Sequence, residues 1–331
     1  MRALVNSPTL DIKTFPQPGE DYDSSITTRI VGGAVEFANK IYNELVTRKN
    51  KDNYHDDWVG IQMDSPVVAI TRNSDRSISV ELTSGEVIRT SHVVLAAPPK
   101  ILSTKVSFKP KLPPSKANAM ASSQTWMAGV TKVALVYRGR PEFWSLLVNE
   151  GGRLLSPNLG RPAFQVYDGS PLSSSSSSSS SKIHDCNKEG ADQNVSVLTF
   201  FTLASLSNHT NDDEKLAKDC AEQMCDSLSM DAIQKVPVLA KYIHSFDEFS
   251  VKRWPHEEYI SDNRNPDAIT PHPQPVAELA KSEWEGTLLF AGTETDQSSP
   301  GVMEGAVGAA LRVTQDLAAL LSLSLRPPLS E

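Results

Sequence analysis

The sequence predicts a mixed α/β protein (α/β with an α+β character) made of two domains, one of them split in sequence and interleaved with the other. Three observations predict it. Leu288-Leu289-Phe290 is a short apolar run that leads through a polar loop into a long helix opening at Gly301. Lys109-Pro110-Lys111-Leu112-Pro113-Pro114 breaks regular structure where the texture of the chain changes. After Trp254 a Pro-rich polar stretch returns the chain to that closing strand and helix. Residues 27–107 and 254–325 therefore read as two parts of one domain, and 108–253 as the second.

The elements follow in order. Residues 1–26 are polar, Pro/Gly-punctuated and aperiodic, a loose leader. Arg29-Ile30-Val31-Gly32-Gly33 reads as a strand and glycine turn, and residues 34–45 as an amphipathic helix. Pro66–Ile70 is a strand that turns at Asn73-Ser74-Asp75 into an alternating run, Ile78, Val80 and Leu82. Ser84-Gly85 turns the chain again into Val87-Ile88. His92–Ala97 is continuously apolar and closed by Pro98-Pro99, which predicts a strand buried on both faces. In the second domain strands are predicted at Thr131–Tyr137, Ala163–Tyr167 and Val195–Leu203, with a helix at Asp213–Leu228. The serine tract Ser173–Ser181 has nothing to bury and reads as a flexible surface insertion. In the closing helix Met303, Ala306, Val307, Ala310, Val313, Leu317, Leu320 and Leu321 form one apolar stripe.

Composition narrows the function. A chain of 331 residues holds roughly two domains and a large core. A net charge of -8 argues against nucleic acid and against a polybasic membrane surface as partners. Cys186, Cys220 and Cys225 are an odd number without metal spacing, which indicates a reducing compartment and no disulfide framework. The histidines are scattered with no HExxH, so no metal is expected. The Asn194 and Asn208 sequons follow no signal peptide and are expected to be silent. No apolar run reaches the ~18 residues a membrane span needs, so a soluble, cytoplasmic protein is expected.

The start of a helix offers free N–H groups and a partial positive charge, which suits an anion or a ring that becomes anionic. FAGTET at 290–295 followed by Gly301-Val302-Met303-Glu304-Gly305-Ala306-Val307 resembles the C-terminal flavin-binding segment of the flavin-dependent monoamine oxidases. Met127–Tyr137, closing on Phe143-Trp144, resembles that family's glycine–lysine–tyrosine strand, and Trp254–Tyr259 its tryptophan–acidic–tyrosine segment. Ser65-Pro66-Val67, Arg29–Gly33 and Val94–Pro99 match further landmarks in the right order.

The resemblance implies a flavin domain of the FAD/NAD(P)-binding type beside a substrate domain of antiparallel sheet and helices. It implies FAD, an amine substrate and dioxygen, with the amine oxidised to an imine and oxygen reduced to hydrogen peroxide. It places Lys132 against a water at flavin N5 and Trp254 beside the ring, the two positions assigned to catalysis. It places Gly292, Thr293, Glu294, Thr295, Gly301, Val302, Met303 and Glu304 on ribityl and ring, with Glu294 accepting a sugar hydroxyl. The Val67 backbone would read the adenine edge. Read without the resemblance, Lys132 is an edge-strand lysine reaching solvent, Trp254 a core or interface residue, and Gly292–Glu294 an ordinary polar turn.

Two departures stand out. The family's N-terminal strand–GxGxxG–helix unit, which holds the ADP half, has no counterpart in residues 1–28, so the chain matches the family's middle and C-terminal portions. The paired tyrosines before the flavin are also replaced. Val302 stands at one position and Asn263-Arg264 aligns with the other, without the flavin-linking cysteine. FAD would then be held noncovalently, and Arg264 near the substrate would favour a carboxylate over a bare amine, or else mark lost activity. Besides an amine oxidase, the readings left open are an inactive family member without flavin and an amino-acid or polyamine oxidase.

Overall fold

A computed structural model describes residues 32–48, 60–126, 128–139, 153–158, 160–171, 195–208, 210–228, 238–261 and 272–324. The chain divides into two compact units. One takes its described residues from 16–62 and 131–253, the other from 63–130 and 254–331. The leader, the serine tract and Arg264 lie outside the described residues.

The first unit opens with helix α1, Val35–Arg48, in which Phe37, Ile41 and Leu45 are all exposed. Its sheet consists of β6 (Val130–Arg138), β7 (Arg153–Leu154), β8 (Ala163–Asp168), β9 (Val195–Leu203) and β10 (Glu248–Arg253), in the order β10-β6-β9-β8-β7. Strict alternation builds it: Val133, Leu135 and Tyr137 on β6 and Leu198 and Phe200 on β9 are buried on one face. Against that face pack Leu216, Ala217, Cys220 and Met224 of α5 (Asp213–Asp226) and Ile243 of α6 (Leu239–His244). Between β9 and α5 lies the short α4, Ala204–Ser207. Asp212 caps α5 by accepting from the Lys215 N–H at 3.0 Å, and Asp213 and Glu214 suit the positive end of the helix.

The second unit holds a sheet of β1 (Val67–Arg72), β2 (Ile78–Leu82), β3 (Val87–Thr90) and β5 (Ser107–Lys109), ordered β3-β2-β1-β5. A two-stranded parallel sheet joins β4 (Val93–Leu95) to β11 (Leu288–Phe290), with Leu289 opposite Val94. Helices α2 (Pro99–Lys105), α3 (Pro114–Ser122), α7 (Ala277–Ala280) and α8 (Met303–Ser324) complete it. The core joins Ile70, Ile78, Leu102, Met120, Leu279, Trp284, Leu288 and Phe290. Lys116 is fully buried here, because its ammonium donates to the carbonyls of Glu278 (2.8 Å), Leu279 (3.0 Å) and Lys281 (2.6 Å) and sits 3.8 Å from the Phe290 ring centre.

Two expectations are corrected. β4 is not buried on both faces: Val94 is 44 % exposed, since among the described residues β4 pairs with β11 alone and one face stays uncovered. The buried face of α8 is also rotated from the expected stripe. Of that stripe Val313 is buried and Val307, Leu317 and Leu320 are half-buried, whereas Met303, Ala306, Ala310 and Leu321 are exposed, and Gly305 and Ala309 outside it are buried. Apolar periodicity overlooked Gly305 and Gly308, whose missing side chains permit the closest approach.

Candidate functional site

The site is built where β11 hands over to α8. All three residues of β11 are buried, and the strand ends in a tight turn, Thr293–Thr295, entered at Gly292. A β-carbon on Gly292 would stand 3.0 Å from the Ala97 carbonyl and 3.2 Å from the Glu294 carboxylate. The Pro98-Pro99 segment and the turn, far apart in sequence, are thereby brought together at backbone distance.

The turn is tied to the helix start. Thr293 Oγ1 donates to the Val302 carbonyl at 2.7 Å, and the Gly301 N–H reaches the Thr293 carbonyl at 3.4 Å. Gly301 has φ +82°, a conformation glycine adopts without strain. The first helical turns then lie directly on the loop before them. A β-carbon on Gly305 would collide with the Ser299 carbonyl and stand 2.9 Å from Thr293 Oγ1, and one on Gly308 would collide with Asp296. Asp296 holds that loop by accepting from the N–H groups of Ser298 (2.9 Å) and Ser299 (2.6 Å). From further along α8, Arg312 donates to the carbonyls of Phe290 (2.7 Å) and Ala280 (3.0 Å) and to Thr295 Oγ1 (2.9 Å). Sequence reading missed Arg312, Asp296 and the helix glycines. The glycine spacing at 301, 305 and 308 was the available signal for the close approach.

Glu294 carries the electrostatics of the turn. It is 4 % exposed, and burial pushes its carboxyl above the usual range, with only its own backbone N–H acting the other way. Among the described residues no ion pair neutralises it. A buried carboxylate so placed is an acceptor suited to hydroxyl donors. The first N–H groups of α8, whose start is tied to the same turn through Thr293, have no intrahelical partner and carry roughly half a positive charge. The turn and the helix start thus carry an acceptor and donors of the kinds that a flavin's sugar hydroxyls and anionic ring edge would use.

The other expected positions lie as follows. Val302 is half-buried, Met303 is 45 % exposed and Glu304 lies in the first turn of α8. Val67 begins β1, half-buried, paired with Leu82. Trp254 opens a 3₁₀ turn, half-buried, and its carbonyl accepts from the Glu257 N–H at 3.0 Å. In the first unit Lys132 stands on the face of β6 opposite the core, its ammonium 4.9 Å from the Phe201 ring centre, with burial pushing its pKa down. Arg264 lies outside the described residues.

The family model described as flavin containing amine oxidoreductase matches residues 31–318. The chain belongs to that family. A flavin-containing amine oxidase of Oncorhynchus mykiss is 26 % identical over 297 residues, covering 87 % of this chain and 46 % of that protein. The flavin-containing amine oxidase B of Bos taurus is 23 % identical over 293 residues, with the same coverage of 87 % and 46 %. The chain therefore spans about half the length of the curated relatives it matches. Among solved structures, putrescine oxidase bound to putrescine aligns over 89 % of this chain and 54 % of its own, at TM-score 0.57 and 17 % identity. Cyclohexylamine oxidase from Brevibacterium oxydans aligns over 78 % and 48 %, at TM-score 0.51 and 19 % identity. The mixed α/β fold is thus that of flavin-dependent amine oxidases, and family membership implies a flavin cofactor. Among the described residues no helix is long and apolar enough to cross a membrane, and no cluster of His, Cys, Asp or Glu is suited to a metal.

Proposed function

We propose that this chain carries the flavin-facing part of an FAD-dependent amine oxidase, with residues 27–107 and 254–325 forming the flavin domain and 108–253 the substrate domain. The observation that carries it is Glu294, an unneutralised carboxylate buried in a glycine-bounded turn at the start of α8. FAD, when bound, supplies two-electron chemistry, taking a hydride equivalent from the carbon beside an amine nitrogen and passing the electrons to dioxygen as hydrogen peroxide. The protein's part is placement and electrostatics.

Glu294 accepts a sugar hydroxyl, and the N–H groups at Val302–Glu304 face the end of the ring that gains negative charge. Gly292 lets the turn pass against the Ala97 carbonyl, Gly301 lets the chain enter α8, and Thr293 and Thr295 fix the turn. Trp254 covers the ring, and the Val67 backbone meets the adenine edge. Lys132, an ammonium held at a cost in a half-buried position, orients a water or dioxygen at N5. With no cysteine near 263, FAD is held noncovalently. Arg264 and Val302 border the substrate.

The test is to mix the full chain with FAD, add a panel of amines and amino acids without air, and follow bleaching of the flavin. Bleaching by an amine, with peroxide formed when air is admitted, supports the proposal. Flavin that binds and never bleaches would leave an inactive family member. Bleaching by amino acids alone would make the chain an amino-acid oxidase.

A further inference from the structure

Helix α7 is four residues long, and a helix leaves its last carbonyls without partners of its own. Here four consecutive carbonyls, those of residues 278–281, are met by two cations from other elements. The Lys116 ammonium on α3 donates to Glu278, Leu279 and Lys281, and the Arg312 guanidinium on α8 donates to Ala280. Both cations also reach β11. Lys116 Nζ stands 3.8 Å from the centre of the Phe290 ring, and Arg312 donates to the Phe290 carbonyl at 2.7 Å and to Thr295 Oγ1 at 2.9 Å. Thr295 closes the Glu294 turn, its hydroxyl donating to the Gly292 carbonyl at 2.7 Å. A continuous run of contacts therefore leads from the Lys116 ammonium to the residues on either side of Glu294.

The geometry is that of a charged lysine. An ammonium carries three N–H donors and no acceptor, and here three carbonyls and a ring face receive it. A neutral amine has only two N–H groups, and its lone pair would be turned on a carbonyl. Yet the charge is held near its limit. Lys116 is fully buried, and burial pushes its pKa down to about 8. The Glu283 and Glu278 carboxylates act the other way, while Arg312 and Lys281 add to the fall. Glu278 also accepts from Ser115 Oγ at 2.7 Å and from Lys281. On α2, the helix packed against α3, Lys100 reaches the Ala121 carbonyl and Lys105 reaches Glu258.

We propose that the Lys116 ammonium is a positioning group for the Glu294 turn: by gripping the 278–281 carbonyls and the Phe290 ring it fixes where β11 delivers the turn, and the flavin site is tight only while Lys116 keeps its proton. This rests on the flavin reading for its ligand and on the contacts above for the grip. Loss of the proton releases a carbonyl and the ring, and slackens β11. It does not unfold the chain. With a folded-state pKa below its ordinary 10.5, Lys116 costs stability below about pH 8, and that cost is relieved as pH rises toward 10.5. Flavin binding and stability therefore answer to the same proton in opposite directions.

The full chain, labelled with ¹³C in its threonine methyl groups, is titrated between about pH 6.5 and 9.5, without and with saturating FAD. The Thr293 and Thr295 methyl resonances should shift with one midpoint at about 8, and the shift should be absent in K116M. FAD affinity, read by calorimetry over the same range, should weaken about tenfold in wild type, the scale of one charge-assisted hydrogen bond. In K116M it should be weak and independent of pH. By reciprocity, FAD that binds tenfold tighter to the protonated form must raise the methyl midpoint by about one pH unit, which a lysine that merely fills the core would not show. Should K116M fail to fold, that movement in wild type decides the matter. Methyls that titrate in a chain that takes up no FAD would sink the flavin reading and leave the grip on the turn standing. Methyls blind to this proton, with FAD affinity flat across the range, would overturn the proposal.

Discussion

Thr293 and Val302 are joined by a 2.7 Å hydrogen bond from hydroxyl to carbonyl, and the Val302 carbonyl also receives the Ala306 N–H at 3.2 Å. One side chain thereby fixes the distance between the turn after β11 and the first turn of α8. In the proposed flavin site that distance would set the room left for the ring. The predictions below test parts of this knot.

Glycine-to-alanine exchange inside an exposed helix ordinarily stabilises by about 1 kcal/mol. At Gly305 the sign reverses. The new methyl meets the Ser299 carbonyl, which is backbone and cannot swing away, and overpacking of that kind costs about 1–3 kcal/mol. G305A should therefore melt below wild type, and further below it than G308A, where the obstacle is the end of the Asp296 side chain. Thermal unfolding of the two variants checks the order; a more stable G305A contradicts it.

Burial raises the Glu294 pKa above its ordinary 4.5, so in the window above 4.5 the folded state binds more protons than the unfolded one. Its contribution to stability is full below pH 4.5 and lost as pH rises through the folded-state pKa. E294Q should remove that decline, visible in melting temperature against pH for the two proteins. Added FAD, by supplying hydroxyl donors to the carboxylate, should flatten the decline in wild type. Parallel curves for wild type and E294Q would show that the carboxylate is not buried in solution.

Arg312 serves two carbonyls and one hydroxyl at once. R312M removes three hydrogen bonds in a partly buried place, at about 2–4 kcal/mol in total, with the Phe290 carbonyl keeping only the 3.3 Å bond from Thr295 Oγ1. R312K should recover little of it, because one ammonium cannot reproduce the guanidinium's spread of donors. Urea unfolding gives the numbers; a loss under about 0.5 kcal/mol would mean the arginine is ornamental.

Lys132 is held at a cost, its ammonium disfavoured by burial. K132M should therefore leave the fold as stable as wild type or more so. If the lysine acts at the flavin, the variant should bleach with amine as before yet recover its colour in air at least tenfold more slowly, about 1.4 kcal/mol in barrier. Stopped-flow mixing of the bleached protein with oxygenated buffer separates the two half-reactions. Unchanged recovery would return Lys132 to a structural role.

Much of this was legible in the residues. β9 spans Val195–Leu203 as expected because its alternation is unbroken, and α5 ends two residues before the expected Leu228 because Ser227 closes its last turn. The strand–turn–helix at 288–307 was visible from an apolar run, a polar loop and well-placed glycines. The exposed face of β4 was hidden, since an apolar run states what could be buried and not what is there to bury it. The rotation of α8 was missed because burial there follows close backbone approach at Gly305 and Gly308 rather than side-chain size. The contacts of Lys116 with residues 278–281 gave no signal, the partners being far apart in the chain.

The most direct measurement is a calorimetric titration of FAD into the full-length chain and into G305A. Saturable one-to-one binding by the native protein, weakened at least tenfold when the methyl pushes helix and turn apart, is the expected result. A native chain that takes up no FAD, or a G305A that binds it equally well while its helix is demonstrably displaced, would contradict the cradle on which the functional reading stands.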